Sequence, residues 1–382
     1  MHPASPGSRN LLCGSPSTLW RLSGARRTVR HVRRKRRSWI DNGWRRNPGQ
    51  PQNRGRTSGI QLTVYQLSVH RWPDNDRKTA RLFRVNTWQP TTRVRISLFA
   101  LLAVLLASGC TLPSAPLKLV GEIIDHEVTW SGEVNVLGVV TVKKNGRLTI
   151  LPGTRVVFEA VDQDGDGIGD GELLIEGSIV AKGTADRPIF FTSGATEPKT
   201  SDWKFIYVDF ARQAVFDHVI AEYAYSGLQI HFCKARVTNS EFRHNVDGLR
   251  FSTVNLYAAG NRMHHNTHGV RYEERRSQAL LHHNGIHNNQ IGLFVVTRGD
   301  DKARFVHNNI ADNEQYNVKL GWQQPGPVTL PENWWGSIDP AQIANRFFDR
   351  QSDPQLGPVS APRPLAAAID PADWPTFEGA VP

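Results

Sequence analysis

The sequence predicts an all-β fold: a single-stranded parallel β-helix, or solenoid, behind a disordered N-terminal leader. The first observation is a repeat running from Asn239 to Leu320. Its apolar anchors Phe242, Met263, Ile286 and Ile310 stand 21, 23 and 24 residues apart. Three positions after each anchor come Asn245, Asn266, Asn289 and Asn313; six after come Gly248, Gly269 and Gly292, with Tyr316 and then Asn317 in the last copy. A period in this range marks units that bury their apolar faces only against their neighbours. The second observation is alternation inside each copy. The pairs Leu249/Phe251, Val270/Tyr272 and Leu293/Val295 flank polar residues at period two, the mark of short strands with one buried face. Gly and Asn suit the bends because both tolerate left-handed backbone. Asn245, Asn266, Asn289 and Asn313 are expected to stack as a structural ladder.

The leader, residues 1–93, has a different composition. It holds 20 of the 46 Lys and Arg but only Asp41, Asp74 and Asp76 among the acids, a net +17. The remainder from Val94 has 26 basic and 32 acidic residues, a net −6, so the basic character of the whole chain belongs to the leader. It lacks apolar periodicity and is not expected to fold. The expected explanation is a mis-called start codon, with Val94 as the true initiation site. The basic run Val29–Arg37 is the feature that would suggest nucleic acid as a partner; on the mis-called start, nucleic acid is not a partner.

Residues 94–109 read as a signal peptide. Ile96–Ala107 is an apolar run too short to span a bilayer but suited to a signal-peptide core. It ends in LLASGC, which resembles the lipobox of bacterial lipoproteins. That resemblance implies lipidation at Cys110, a membrane anchor and a bacterial envelope address. Thr111 rather than Asp after the Cys points to the outer membrane. Residues 110–119 then form a tether. Only Cys110 and Cys233 remain in the mature chain, so no disulfide framework is available.

Residues 120–348 carry the β-helix. Before the exact repeat, Val134–Val136, Val140–Val142, Leu148–Ile150, Val156–Phe158, Leu173–Ile175, Ile179–Ala181 and Ile189–Ser193 are short alternating strands separated by Gly and Pro. The segments LTILPGTRVVF (148–158), LLIEGSIVAKGTADRPIFFTS (173–193) and NWWGSID (333–339) resemble the right-handed parallel β-helix repeat proteins of bacterial envelopes, within the pectate-lyase-like superfamily. The resemblance covers roughly residues 120 to 355 and implies a right-handed coil. It does not fix an activity, because one fold hosts many functions. Residues 349–382, rich in Pro, Ala and Asp, lack strand alternation and read as a cap and extended tail.

Three features could carry chemistry. The run DQDGDGIGD looks like the calcium repeats of extracellular proteins. Asp162, Asp164, Asp166, the Ile168 carbonyl and Asp170 would supply oxygen ligands, and calcium is the cofactor this loop would take. The position of the bidentate Glu in an EF-hand is held by Leu173, and no helices flank the run, so it is no EF-hand. Histidines recur at matching coil positions: His244 with His265, His264 with His287, His283 with His307. Pairs in register could share a metal, which resembles the NosD-like periplasmic β-helix proteins linked to copper-site maturation; solvated turns, where polar residues face water, are the preferred reading. Finally, Tyr223, Tyr225, Tyr257, Tyr272 and Trp322 are candidates for a sugar-binding face. The polygalacturonase and pectate-lyase patterns are not met: Asp300–Asp301 stands alone, His268–Gly269 lacks a preceding Gly, and no RIK occurs. The expected function is a lipid-anchored binding or structural scaffold, with a polysaccharide or envelope proteins as partners. A carbohydrate-active enzyme and a metal-site maturation factor are the alternatives.

Overall fold

The computed structural model describes residues 115–299 and 302–377. The leader, the signal segment, Cys110 and Asp300–Asp301 lie outside the described residues. Three parallel sheets run the length of the described chain. Sheet I has nine strands, from Leu117–Val120 to Asn309–Ile310; sheet II has ten, from Ile123–Ile124 to Phe347–Phe348; sheet III has eight, from Glu127–Trp130 to Ala303–Val306. Within each sheet, hydrogen-bonded neighbours are three strands apart in sequence, except the last pair of sheet II, so the chain visits I, II and III in turn and climbs one step per coil. This is a parallel β-helix. Its first strand begins at Leu117, inside the stretch expected to be a tether, because Leu117 and Leu119 pair with Val134 and Val136 of the next coil.

Alternation builds the core. Phe242, Met263 and Ile286 are partners in successive strands of sheet I, and Leu249, Val270, Leu293 and Val318 in sheet II. All of these are at most 1 % exposed. Aromatic rings stack along the axis as well: Phe158 lies 4.1 Å from Trp203, and Phe251, Tyr272 and Phe305 follow one another at 5.2 Å. Each coil can bury these side chains only against the next, which is why the fold needs many coils.

The corners are built differently from expectation. Neither the repeat glycines nor the ladder asparagines adopt positive φ. Left-handed residues instead form one column per corner. Tyr223, His244, His265, Asn288 and Asp312 join sheet I to II; Phe210, Phe232, Thr253, Arg275 and Arg298 join II to III; His218, Asn239, Gly260, His283, His307 and Glu332 join III to I. In several coils the N–H of a corner residue reaches the next corner carbonyl, as in His244 to His265 at 3.1 Å and His283 to His307 at 3.0 Å, whereas His218 and Asn239 donate to the carbonyls of Thr238 and Ala259. Gly248 is required by space instead. A Cβ there would meet the Gly269 carbonyl at 2.7 Å and the Asn266 amide at 3.0 Å.

After the last coil, a helix over Pro340–Ala344, capped by Asp339, closes the end of the solenoid. The tail then turns back along the corner between sheets III and I. The Asn309 side chain bonds both N–H and carbonyl of Ile369, and Arg236 reaches the Phe377 carbonyl. Phe377 fills the space above Gly260.

Candidate functional site

The strongest concentration of polar chemistry lies on the outer face of sheet II. Leu249 and Val270 point into the core, so Arg250 and Arg271, one residue on, point out and are register partners on adjacent coils. Since Gly248 also faces inward, against the Asn266 amide, the alternation slips between Gly248 and Leu249. That slip places Asp247 on the same side as Arg250. The Asp247 carboxylate is fully buried, 2.8 Å from His268 Nδ1, 3.5 Å from Arg271 and 3.7 Å from Arg250. One carboxylate therefore sits beneath two guanidinium groups whose side chains are 24 % and 27 % exposed. The Arg271 Nε is buried without a hydrogen-bond partner. Arg250 holds its proton less tightly than usual, from burial first and then from Arg271 beside it.

Aromatic rings flank the pair. The outward row reads Tyr207, Gln229, Arg250, Arg271, Phe294, Lys319 and Phe348 in successive coils. Phe294 stacks on His268 at 4.8 Å and underlies Arg271 at 5.6 Å, while Lys319 lies over Phe348. Tyr207 meets His231 edge-on at 5.4 Å. Burial holds His231 neutral, with its pKa lowered to about 4. The result is a strip of cations and rings repeating at coil spacing, ~4.8 Å.

In the acidic loop, Asp162, Asp164 and Asp166 bring a carboxylate oxygen each to within 4.8 Å of one another, and all three are exposed. Asp162 accepts from the N–H groups of Gly165 and Gly167, both at positive φ, and Asp166 from that of Ile168. Asp170 does not join this group. It accepts from Gln163 N–H at 2.9 Å and from Lys204 Nζ at 3.2 Å, and these bonds hold its carboxyl below the usual range. The expected five-residue set is thus divided, because the sheet II strand Trp203–Asp209 brings a lysine to Asp170.

The asparagines at the anchor-plus-three position occupy one buried column. Asn245 Nδ2 donates to Asn266 Oδ1 at 3.1 Å, Asn266 to Asn289 at 3.0 Å, and Asn289 to Asn313 at 3.0 Å. Each acceptor oxygen also takes the backbone N–H of the Asn before it. A second ladder joins Asn261, Asn284, Asn308 and Asn333 in the same manner. Its signal was present in the sequence, since Asn261, Asn284 and Asn308 each stand two residues before an anchor.

The histidine pairs are placed by backbone conformation. His244, His265, His283 and His307 are left-handed corner residues, a conformation His adopts more readily than most side chains. His264 and His287 stack at 5.4 Å on sheet I, where His264 Nε2 also lies 3.2 Å from Glu241. The aromatic candidates do not share a face. Tyr272 is in the core, Tyr223 stacks on His244 at a corner, Tyr257 lies under Arg236 on sheet III, and Trp322 stands 91 % exposed at a strand end. Cys233 is half-buried next to the Phe232 corner, and desolvation pushes its thiol up to about 12, which makes it a poor nucleophile. Cavities of about 470 and 560 Å³ lie away from the sheet II strip, where the tail residue Trp374 meets the corner between sheets III and I.

The family model for a right handed beta helix region matches residues 199–326. The protein is a right-handed parallel β-helix. No curated protein and no solved structure matches the chain. The matched region contains the exact repeat, the first Asn ladder and the Asp247–His268–Arg250–Arg271 cluster.

Proposed function

We propose that this protein is a lipid-anchored envelope protein whose β-helix is a binding scaffold for an acidic glycan, held along the outer face of sheet II. The observation that carries this reading is the pair Arg250 and Arg271, set side by side above one buried carboxylate. Two guanidinium groups against one carboxylate leave a net positive site, and the planar fork suits a sugar carboxylate or sulfate. Phe294, Phe348 and Tyr207 add apolar surface for sugar rings. The contrast with the rest of the domain supports it too, since the chain from Val94 is net −6. The lipid anchor rests on the LLASGC segment and the expected modification of Cys110. The DQDGDG loop is proposed as a calcium site held by Asp162, Asp164 and Asp166.

A carbohydrate-active enzyme is the second reading, favoured by the Asp247–His268 pair, in which a buried carboxylate orients an imidazole. Two-carboxylate hydrolysis is not assembled there, however. Along the same row the next carboxylate is Glu172, paired through Phe205 and Ser226 to Asp247. Three coil steps place it about 14 Å away, beyond the spacing that glycosidase carboxylates use. Probing the protein against an array of acidic and neutral glycans tests the proposal. Signal confined to uronic or sulfated glycans supports it, and signal on neutral glycans alone refutes it.

A further inference from the structure

We propose that the corner between sheets II and III is a docking surface for an anionic phospholipid bilayer. The surface is built from the left-handed corner column already described. Phe210 and Phe232 are 67 % and 47 % exposed, the largest apolar side chains displayed on this corner. Their rings stack on each other at 4.5 Å with planes 6° apart. Along the same column, beyond Thr253, come the exposed residues Arg275 and Arg298. Phe232, Arg275, Arg276 and Arg298 line one open depression of about 580 Å³. Phe232, Arg212, Lys234 and Arg276 line an adjoining depression of about 390 Å³.

Five cations therefore share these two depressions with Phe232, in a domain whose overall charge is negative. The acids facing them are Glu273, paired with Arg275 at 2.6 Å, and Asp209, half-buried beneath Phe210. Burial raises the Asp209 pKa, which weakens its competition for the cations.

The orientation of the rings decides between occupants. A sugar or a nucleobase binds an aromatic side chain by lying on its face. Here Phe210 and Phe232 each cover one face of the other, so the stack offers less open ring face than two separate rings would. Exposed apolar rings with flanking guanidinium groups are what a lipid headgroup layer accepts: the rings enter the acyl boundary and the cations meet phosphates. The column follows the solenoid axis, so the rings and the arginines would touch one flat surface together.

The test uses the full chain carrying Cys110→Ser, so that no lipid anchor contributes. It is sedimented with phosphatidylcholine vesicles, with and without phosphatidylglycerol. We expect binding only where phosphatidylglycerol is present, weakened about tenfold or more in Phe210→Ala plus Phe232→Ala. Because those side chains are exposed, the variant should melt as the parent does; Arg276→Gln plus Arg298→Gln, also at exposed positions, provides a second reading of the same surface. Arg250→Gln plus Arg271→Gln, which tests the glycan strip, should bind vesicles as the parent does. No binding to phosphatidylglycerol vesicles, or undiminished binding by the Phe variant, would overturn the proposal. So would binding lost only in the Arg250/Arg271 variant, which would assign the lipid contact to sheet II.

Discussion

The Asp247 carboxylate lies 2.8 Å from the His268 ring nitrogen on the next coil, fully buried while the His268 side chain keeps 14 % exposure. The same carboxylate faces Arg250 and Arg271, so a single acid neutralises part of a three-residue basic cluster. Its position depends on Gly248, where no side chain can fit against the asparagine ladder.

Removing that acid should therefore destabilise the fold, not merely alter a surface. Asp247→Ala would leave two half-buried guanidinium groups without their shared counter-charge. We expect a loss of about 3–5 kcal/mol in chemical unfolding. A change under ~1 kcal/mol, the range of exposed pairs, would mean the cluster is solvated.

The asparagine ladder makes a sharper stability prediction. In Asn266→Ala, the backbone N–H of Asn245 and the Phe242 carbonyl would each lose a bond, while the Asn245 amide would keep only Ala221 and the Asn289 oxygen only the backbone N–H of residue 266. Each buried group left unpaired costs about 1–3 kcal/mol. Several together should lower the melting temperature more than any single substitution of an exposed corner histidine. A variant melting with the wild type would show that water or neighbours replace the ladder.

Acid should weaken the protein in two separate windows. His231 and His282 are held neutral by burial, with folded values near 4 against 6.5 unfolded. Unfolding therefore takes up protons below 6.5, and stability falls as pH drops from 6.5 towards 4. Glu241 is held down to about 2, first by its bond to His264, so its contribution disappears from about 4.5 downward. Unfolding midpoints measured from pH 7 to 4 should decline, and His231→Gln plus His282→Gln should flatten the upper window. A flat profile in the parent would contradict the burial assigned to these rings.

Calcium should raise the melting temperature if Asp162, Asp164 and Asp166 hold it, because a ligand bound only to the folded state stabilises by linkage. Asp164→Ala plus Asp166→Ala should abolish the shift. Asp170→Asn should leave most of it, since Asp170 is engaged by Lys204. An identical melt in chelator and in ~5 mM calcium, enough to load an extracellular-type site, would leave the loop an ordinary turn.

The coils themselves were readable from the chain, because an apolar position that recurs every 21 to 24 residues has one place to go in a solenoid. The corners were not. A left-handed φ was expected at Gly and Asn, yet Phe210, Phe232, Arg275 and Arg298 adopt it as well. The sheet II site was hidden for a related reason. Strict alternation assigns Asp247 and His268 to the same side as Leu249 and Val270, and only the slip at Gly248 and Gly269 moves them outward. The aromatic candidates failed because ring type alone does not tell a core stack such as Phe251–Tyr272 from a surface.

Titrating a linear uronate oligosaccharide into the parent protein and into Arg250→Gln plus Arg271→Gln tests the central claim most directly. The account predicts saturable binding by the parent that weakens with added salt, and at least about a tenfold higher Kd in the double variant, about 1.4 kcal/mol. Equal affinity in the two proteins, or no binding by the parent, would contradict it.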